Sequence, residues 1–157
     1  MVSGKRLSPL PREPRRANLR RAYFDCRHGQ LHVRTGFPGG GGFDEGTTAI
    51  LLHDAAGSSR DWAAWLPVLG QDRSLYAPDL PGHGESDGAA GMASAVEAVL
   101  DLCADLRLRQ VLLLAHGSGA EVARRVAAAR DGLVRSVVEV LAGDEVTAVV
   151  ARLAAAG

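Results

Sequence analysis

Hydrophobic positions along the chain switch between two periods, and the switches mark its elements. Residues 47–53 (TTAILLH) are β-branched and apolar and predict a buried strand. Trp62, Trp65, Leu66 and Leu69 then fall at i, i+3, i+4 and i+7, the stripe of an amphipathic helix. Residues 74–77 predict a short strand stopped by Pro78. Val96, Val99, Leu100, Cys103 and Leu106 form a second helical stripe, with Glu97, Asp101 and Asp105 on the other face. Residues 110–115 (QVLLLA) form an apolar run that predicts burial on both faces, as in a parallel sheet. Gly119, Val122, Ala123, Val126 and Ala127 give a third stripe, with Glu121, Arg124 and Arg125 outside. The segment from Ser136 to Leu141 predicts a last strand, and residues 146–154 a fourth helix. Ahead of these, residues 23–26 and 31–34 predict a hairpin turning at His28-Gly29. A loop from Gly36 through the glycines at 39–42 follows, flexible because it has almost nothing to pack.

Strands that alternate with helices imply right-handed crossovers and an α/β fold, a mostly parallel sheet covered by helices, here with an N-terminal β-hairpin. Ligands in such folds sit beyond the carboxyl ends of the strands. The loops to read are therefore those after His53, Ala77, Ala115 and Leu141.

Charge refines this picture. The 157 residues suit one domain, and their net charge is zero. That zero is a sum of opposites. Residues 1–22 hold seven basic side chains against one acid, Glu13, so the remainder is acidic. Residues 1–21, with Pro9, Pro11 and Pro14, predict a disordered basic arm before a domain at 22–157. Arginine outnumbers lysine seventeen to one, a coding bias that weakens any functional meaning of the arm. An acidic body is a poor nucleic-acid partner. No apolar run approaches the roughly 18 residues of a membrane span, and no secretory leader is expected. Two cysteines, Cys26 and Cys103, form no disulfide framework, and the expected location is cytoplasmic. No P-loop, HExxH, CxxC or calcium loop is present, so neither cofactor nor metal is expected. Gly117-Ser118-Gly119 imitates a dinucleotide turn, but bulky Val122 stands where its third glycine belongs.

Three of the strand-end loops carry motifs. The first is His53-Asp54-Ala55-Ala56-Gly57-Ser58-Ser59, followed by Trp62. The second is Asp79-Leu80-Pro81-Gly82-His83-Gly84-Glu85-Ser86-Asp87. The third is Ala115-His116-Gly117-Ser118-Gly119-Ala120. In this order and spacing they resemble the α/β-hydrolase superfamily, in its esterase, lactonase and haloperoxidase-like branch, over about residues 22–141. The resemblance implies the N-terminal portion of that fold, up to its sixth strand, and small esters, lactones or amides as substrates of intact relatives.

It also implies a role for each residue of the third loop, a nucleophile elbow of the form small-x-nucleophile-x-small. Ala115 and Gly119 take the small positions and Gly117 that of the nucleophile. Glycine has no side chain to attack a carbonyl, so the elbow is inactive. Ser118 is expected to supply an oxyanion N–H, or to cap the following helix with its hydroxyl. As the alternative nucleophile it would push His116 into a position needing a small residue. Ala55 would give the second oxyanion N–H, with Asp54 either opposing the developing charge or capping a helix. Asp144, just past the last strand, is the acid candidate or else a solvated turn residue. No histidine follows His116, so no general base is expected. The chain then reads as a catalytically incomplete hydrolase. One alternative is a binding or scaffolding pseudo-hydrolase that holds a small anion or ester at the open helix N-terminus. The other is an enzyme completed by a second chain, through self-association along the edge strand from Ser136 to Leu141.

Overall fold

The computed structural model describes residues 16–39 and 47–156. The chain opens with a hairpin of β1 (Asn18–Cys26) and β2 (Gly29–Phe37), paired in register from Cys26↔Gly29 to Asn18↔Phe37. The turn is Arg27-His28, one residue earlier than the pattern suggested. β1 also begins inside the stretch expected to be disordered. Its backbone finds complementary groups along all of β2, and a ladder of backbone hydrogen bonds needs no apolar side chains. Residues 1–15, the rest of that arm, and most of the glycine run lie outside the described residues.

Four further strands follow: β3 (Ala49–Leu52), β4 (Leu75–Pro78), β5 (Val111–His116) and β6 (Val134–Val140). The sheet order is β1-β2-β4-β3-β5-β6, antiparallel through β4 and parallel from β4 to β6. A bulge opposite Val111 and Leu112 leaves Arg135 as an extra residue in β6.

The helices are α1 (Leu66–Leu69), α2 (Met92–Asp105), α3 (Gly119–Ala129) and α4 (Val146–Ala156). Period-two alternation sorts the central strands onto two faces. Ile50, Leu52, Leu113 and Ala115 pack with Val99 and Cys103 of α2 and Ala123 and Val126 of α3. Leu51, Leu112 and Leu114 pack on the opposite side with Trp62, Leu66 and Leu69, and with Val149 and Leu153 of α4. Among the described residues no helix is long and apolar enough to cross a membrane.

The predicted helix over Trp62–Leu69 is broken. A 3-10 turn at Ser59–Trp62 is followed by the four-residue α1, in whose first turn Pro67 sits. Proline has no N–H to bond back to residue 63, so it fits only where a helix starts. The burial stripe survives the break, and Trp62, Leu66 and Leu69 are all buried.

Candidate functional site

β3 and β5 are neighbours, paired Leu52↔Ala115. The chains leaving their carboxyl ends therefore run side by side, which brings residue 54 next to residue 117.

The turn from β5 into α3 is tight. Gly117 has φ +57°, a left-handed conformation that favours glycine. At Gly119 an added Cβ would lie 2.6 Å from the Leu52 carbonyl oxygen and 2.9 Å from that of His53. Those are backbone atoms that cannot swing away, so glycine is what lets α3 pack this closely on β3. Ser118 has helical φ and ψ, and its hydroxyl makes no capping bond to α3, contrary to the expectation from sequence.

The α3 N-terminus is filled instead by Asp54. Its Oδ1 accepts the Ser118 N–H at 2.8 Å and the Ser118 hydroxyl at 2.9 Å. The same hydroxyl accepts the Ala55 N–H at 2.8 Å. Both backbone donors that the resemblance assigns to an oxyanion are thus engaged within the chain. A Cβ built on Gly117 would stand 2.5 Å from Asp54 Cγ and closer still to Oδ1. The carboxylate fills the space a side chain at position 117 would need. The Ser118 N–H and hydroxyl, helped by the N–H groups of Ala55 and Ala56, hold its pKa below the usual carboxylate range.

His53 props this loop from beneath. Its Nε2 accepts the Leu80 N–H at 3.0 Å, which leaves Nδ1 to donate to the Asp54 carbonyl at 2.6 Å. The ring is therefore neutral, and burial, opposed by that Nδ1 bond, pushes its pKa down. In the pH window between the ordinary value of about 6.5 and the lowered folded value, the unfolded chain binds a proton the fold does not. Stability is then complete above the ordinary value and falls with pH through that window. Urea midpoints should drop from about pH 7 to 5, and His53→Gln should flatten that slope. The lowered carboxylates Asp54 and Asp79 add losses only below about pH 4.

The second loop is organised by Asp79, which is 2% exposed. Oδ1 accepts the Ser59 N–H at 2.7 Å, while Oδ2 accepts from His32 Nδ1 at 2.8 Å and the Glu85 N–H at 3.0 Å. Burial alone would raise its pKa, but these donors more than offset it and the pKa lies low. One carboxylate thus ties β2, the 3-10 turn and the loop after β4 together.

The model of the alpha/beta hydrolase family matches residues 49–156. The chain belongs to the alpha/beta hydrolase family. Two curated relatives are the dihydrolipoyllysine-residue acetyltransferase component of the acetoin cleaving system of Pseudomonas putida and the magnesium-chelatase 30 kDa subunit of Rhodobacter capsulatus. The first is 35% identical over 55% of this chain and 24% of its own length, the second 29% over 53% and 31%. The chain therefore spans less than a third of either. Among solved structures, Cfl2 of Burkholderia cenocepacia superposes with TM-score 0.68 at 26% identity, over 78% of this chain and 41% of that one. A Streptomyces epoxide hydrolase gives 0.67 at 20% identity, over 77% and 36%, a likeness of fold.

Within this hydrolase fold, the sequence candidates separate into two places. Gly117, Ser118 and Ala55 meet at the Asp54 turn. Asp144 serves its own segment, where its Oδ2 accepts the Leu141 N–H at 2.8 Å and pairs with Arg152. It lines a cavity of about 200 Å³ with Asp61, Trp62, Trp65, His116 and Leu141. Asp61 and Trp65 carried no functional signal in the sequence, because their convergence with Asp144 depends on the broken helix after β3. Among the described residues no group of three or more His, Cys, Asp and Glu is placed to hold a metal.

Proposed function

We propose that this chain is a pseudo-hydrolase, a family member that does not cleave esters and whose role is binding or assembly. The observation that carries this is the Asp54 carboxylate seated over Gly117 on the Ser118 N–H. Acyl transfer needs a nucleophile at the turn and preorganised donors where negative charge develops. Here position 117 offers no side chain. The Ser118 and Ala55 N–H groups are already bonded, and a formal negative charge stands where the oxyanion would form. A free anion at this helix end would meet the same charge, so the turn is closed to small anions as well as to ester chemistry. The Ser118 hydroxyl donates to Asp54 and accepts from Ala55. The relatives named as a component and a subunit support an assembly role. In this reading the partial hydrolase domain starts with β1, a basic arm precedes it, and the free thiols Cys26 and Cys103 suit a reducing, cytoplasmic setting.

The test is hydrolysis of p-nitrophenyl acetate and butyrate by the purified chain. The expected rate equals that of the chain with Ser118→Ala, and neither exceeds a denatured control. Turnover that Ser118→Ala abolishes would overturn the proposal.

A further inference from the structure

The hairpin register sets Arg21 of β1 directly opposite Arg34 of β2. Directly opposed residues share one face of a sheet, with Cβ atoms about 5 Å apart, and like charges there destabilise the pair. Tyr23 and His32, opposed two positions further along, lie on the same face. Their common neighbour agrees with this. The Glu85 carboxylate accepts the Tyr23 hydroxyl at 3.1 Å and lies 3.9 Å from Arg21 Nη1 and 3.8 Å from His32 Nε2.

Neither arginine is well compensated. Arg21 has that loose contact with Glu85, between side chains 59% and 47% exposed, and surface pairs of this kind contribute little. Arg34 is half-buried and forms no ion pair among the described residues. Its Nε donates to the Ser59 hydroxyl at 3.2 Å, while its Nη groups meet no acceptor among those residues. A guanidinium carries five N–H donors in a rigid fork, so most of its capacity is unused. Ser59 is fully buried and its own N–H is held by Asp79 at 2.7 Å. The base of the Arg34 guanidinium is therefore tied to a fixed anchor, with its outer donors left for a ligand.

We propose that Arg21 and Arg34 together bind a phosphate monoester. Such a group carries close to two negative charges at neutral pH and three acceptor oxygens. Guanidinium forks match those oxygens bidentately. One ligand would neutralise both arginines and turn their repulsion into a shared attraction. A carboxylate carries a single charge and would leave one arginine uncompensated. Arg21 is the mobile half of the pair, since its exposed side chain gives up little on leaving Glu85. Glu85 is the opposing charge, so it limits affinity. The site belongs to the hairpin and is independent of whether the Asp54 turn cleaves esters.

The test is a nuclear magnetic resonance titration of the full chain with phenyl phosphate, and with benzoate for comparison, at constant ionic strength. Phenyl phosphate should give saturable shifts centred on Arg21, Arg34 and Ser59, with a Kd of roughly 1–10 mM. Benzoate should bind at least about 10-fold more weakly. Arg34→Gln should weaken phenyl phosphate binding by roughly 10-fold or more and Arg21→Gln by about 3- to 10-fold, whereas Glu85→Gln should tighten it about 2- to 5-fold. Arg21→Gln alters an exposed side chain and stays informative if Arg34→Gln does not fold. A phosphoserine peptide separates the sources of the group. Affinity no tighter than that of phenyl phosphate marks a small metabolite, and affinity at least about 10-fold tighter marks a phosphorylated protein. The proposal is overturned by no saturation up to about 30 mM, by shifts centred elsewhere, by benzoate binding as well as phenyl phosphate, or by binding indifferent to both arginine substitutions.

Discussion

Replacing Asp79 with alanine should destabilise the fold by about 3–5 kcal/mol, the cost of removing one partner from a buried, fully engaged ionic group. Three donors lose their acceptor at once: the Ser59 and Glu85 N–H groups and His32 Nδ1. His32 is 1% exposed, so water cannot replace the carboxylate without opening the sheet. Asp79→Asn should cost less, because the amide keeps one oxygen while its NH₂ opposes a donor. Urea denaturation of the two variants checks this. Equal losses would mean that the charge of the carboxylate, not its shape, matters at this position. The prediction also recasts the most specific motif of the chain. The DLPGHGESD stretch acts as a clamp between strand and loops.

The second large effect concerns Gly117→Ser, the change that would formally supply a nucleophile. It should cost about 2–4 kcal/mol, from a left-handed φ imposed on a side chain and from collision with Asp54. Asp54→Gly alone should cost about 1 kcal/mol, the usual value of a helix cap. Combined, the two should cost less than their sum, because removal of the carboxylate removes the collision and leaves only backbone strain. Thermal or urea melts of all four proteins give this cycle. Strict additivity would mean that Asp54 does not lie over position 117.

The arrangement of strands and helices was legible because the central strands are unbroken apolar runs between strong turn signals. Even the stripe at Trp62, Leu66 and Leu69 found the right buried residues while missing the break at Pro67. Burial follows packing, whereas helical hydrogen bonding depends on an N–H that proline lacks. The glycine at 117 was also plain. What stayed hidden was the target of Asp54. Its carboxylate reaches Ser118 across 64 positions of sequence. That proximity is set by the Leu52↔Ala115 register, which no local pattern encodes. The start of β1 was hidden for a related reason, since Asn18–Arg21 gains its order from β2 and not from its own composition.

The Asp54–Gly117 contact also gives the turn a direction in mutational history. A serine at 117 is penalised while Asp54 remains, and loss of Asp54 by itself uncovers a turn that still lacks a nucleophile. Neither first step gives an uncovered turn with a nucleophile and each lowers stability, so the route to such a turn crosses a valley. The route away from it has no such barrier. In the proposed reading, the contact works as a ratchet against the return of a nucleophile to this turn.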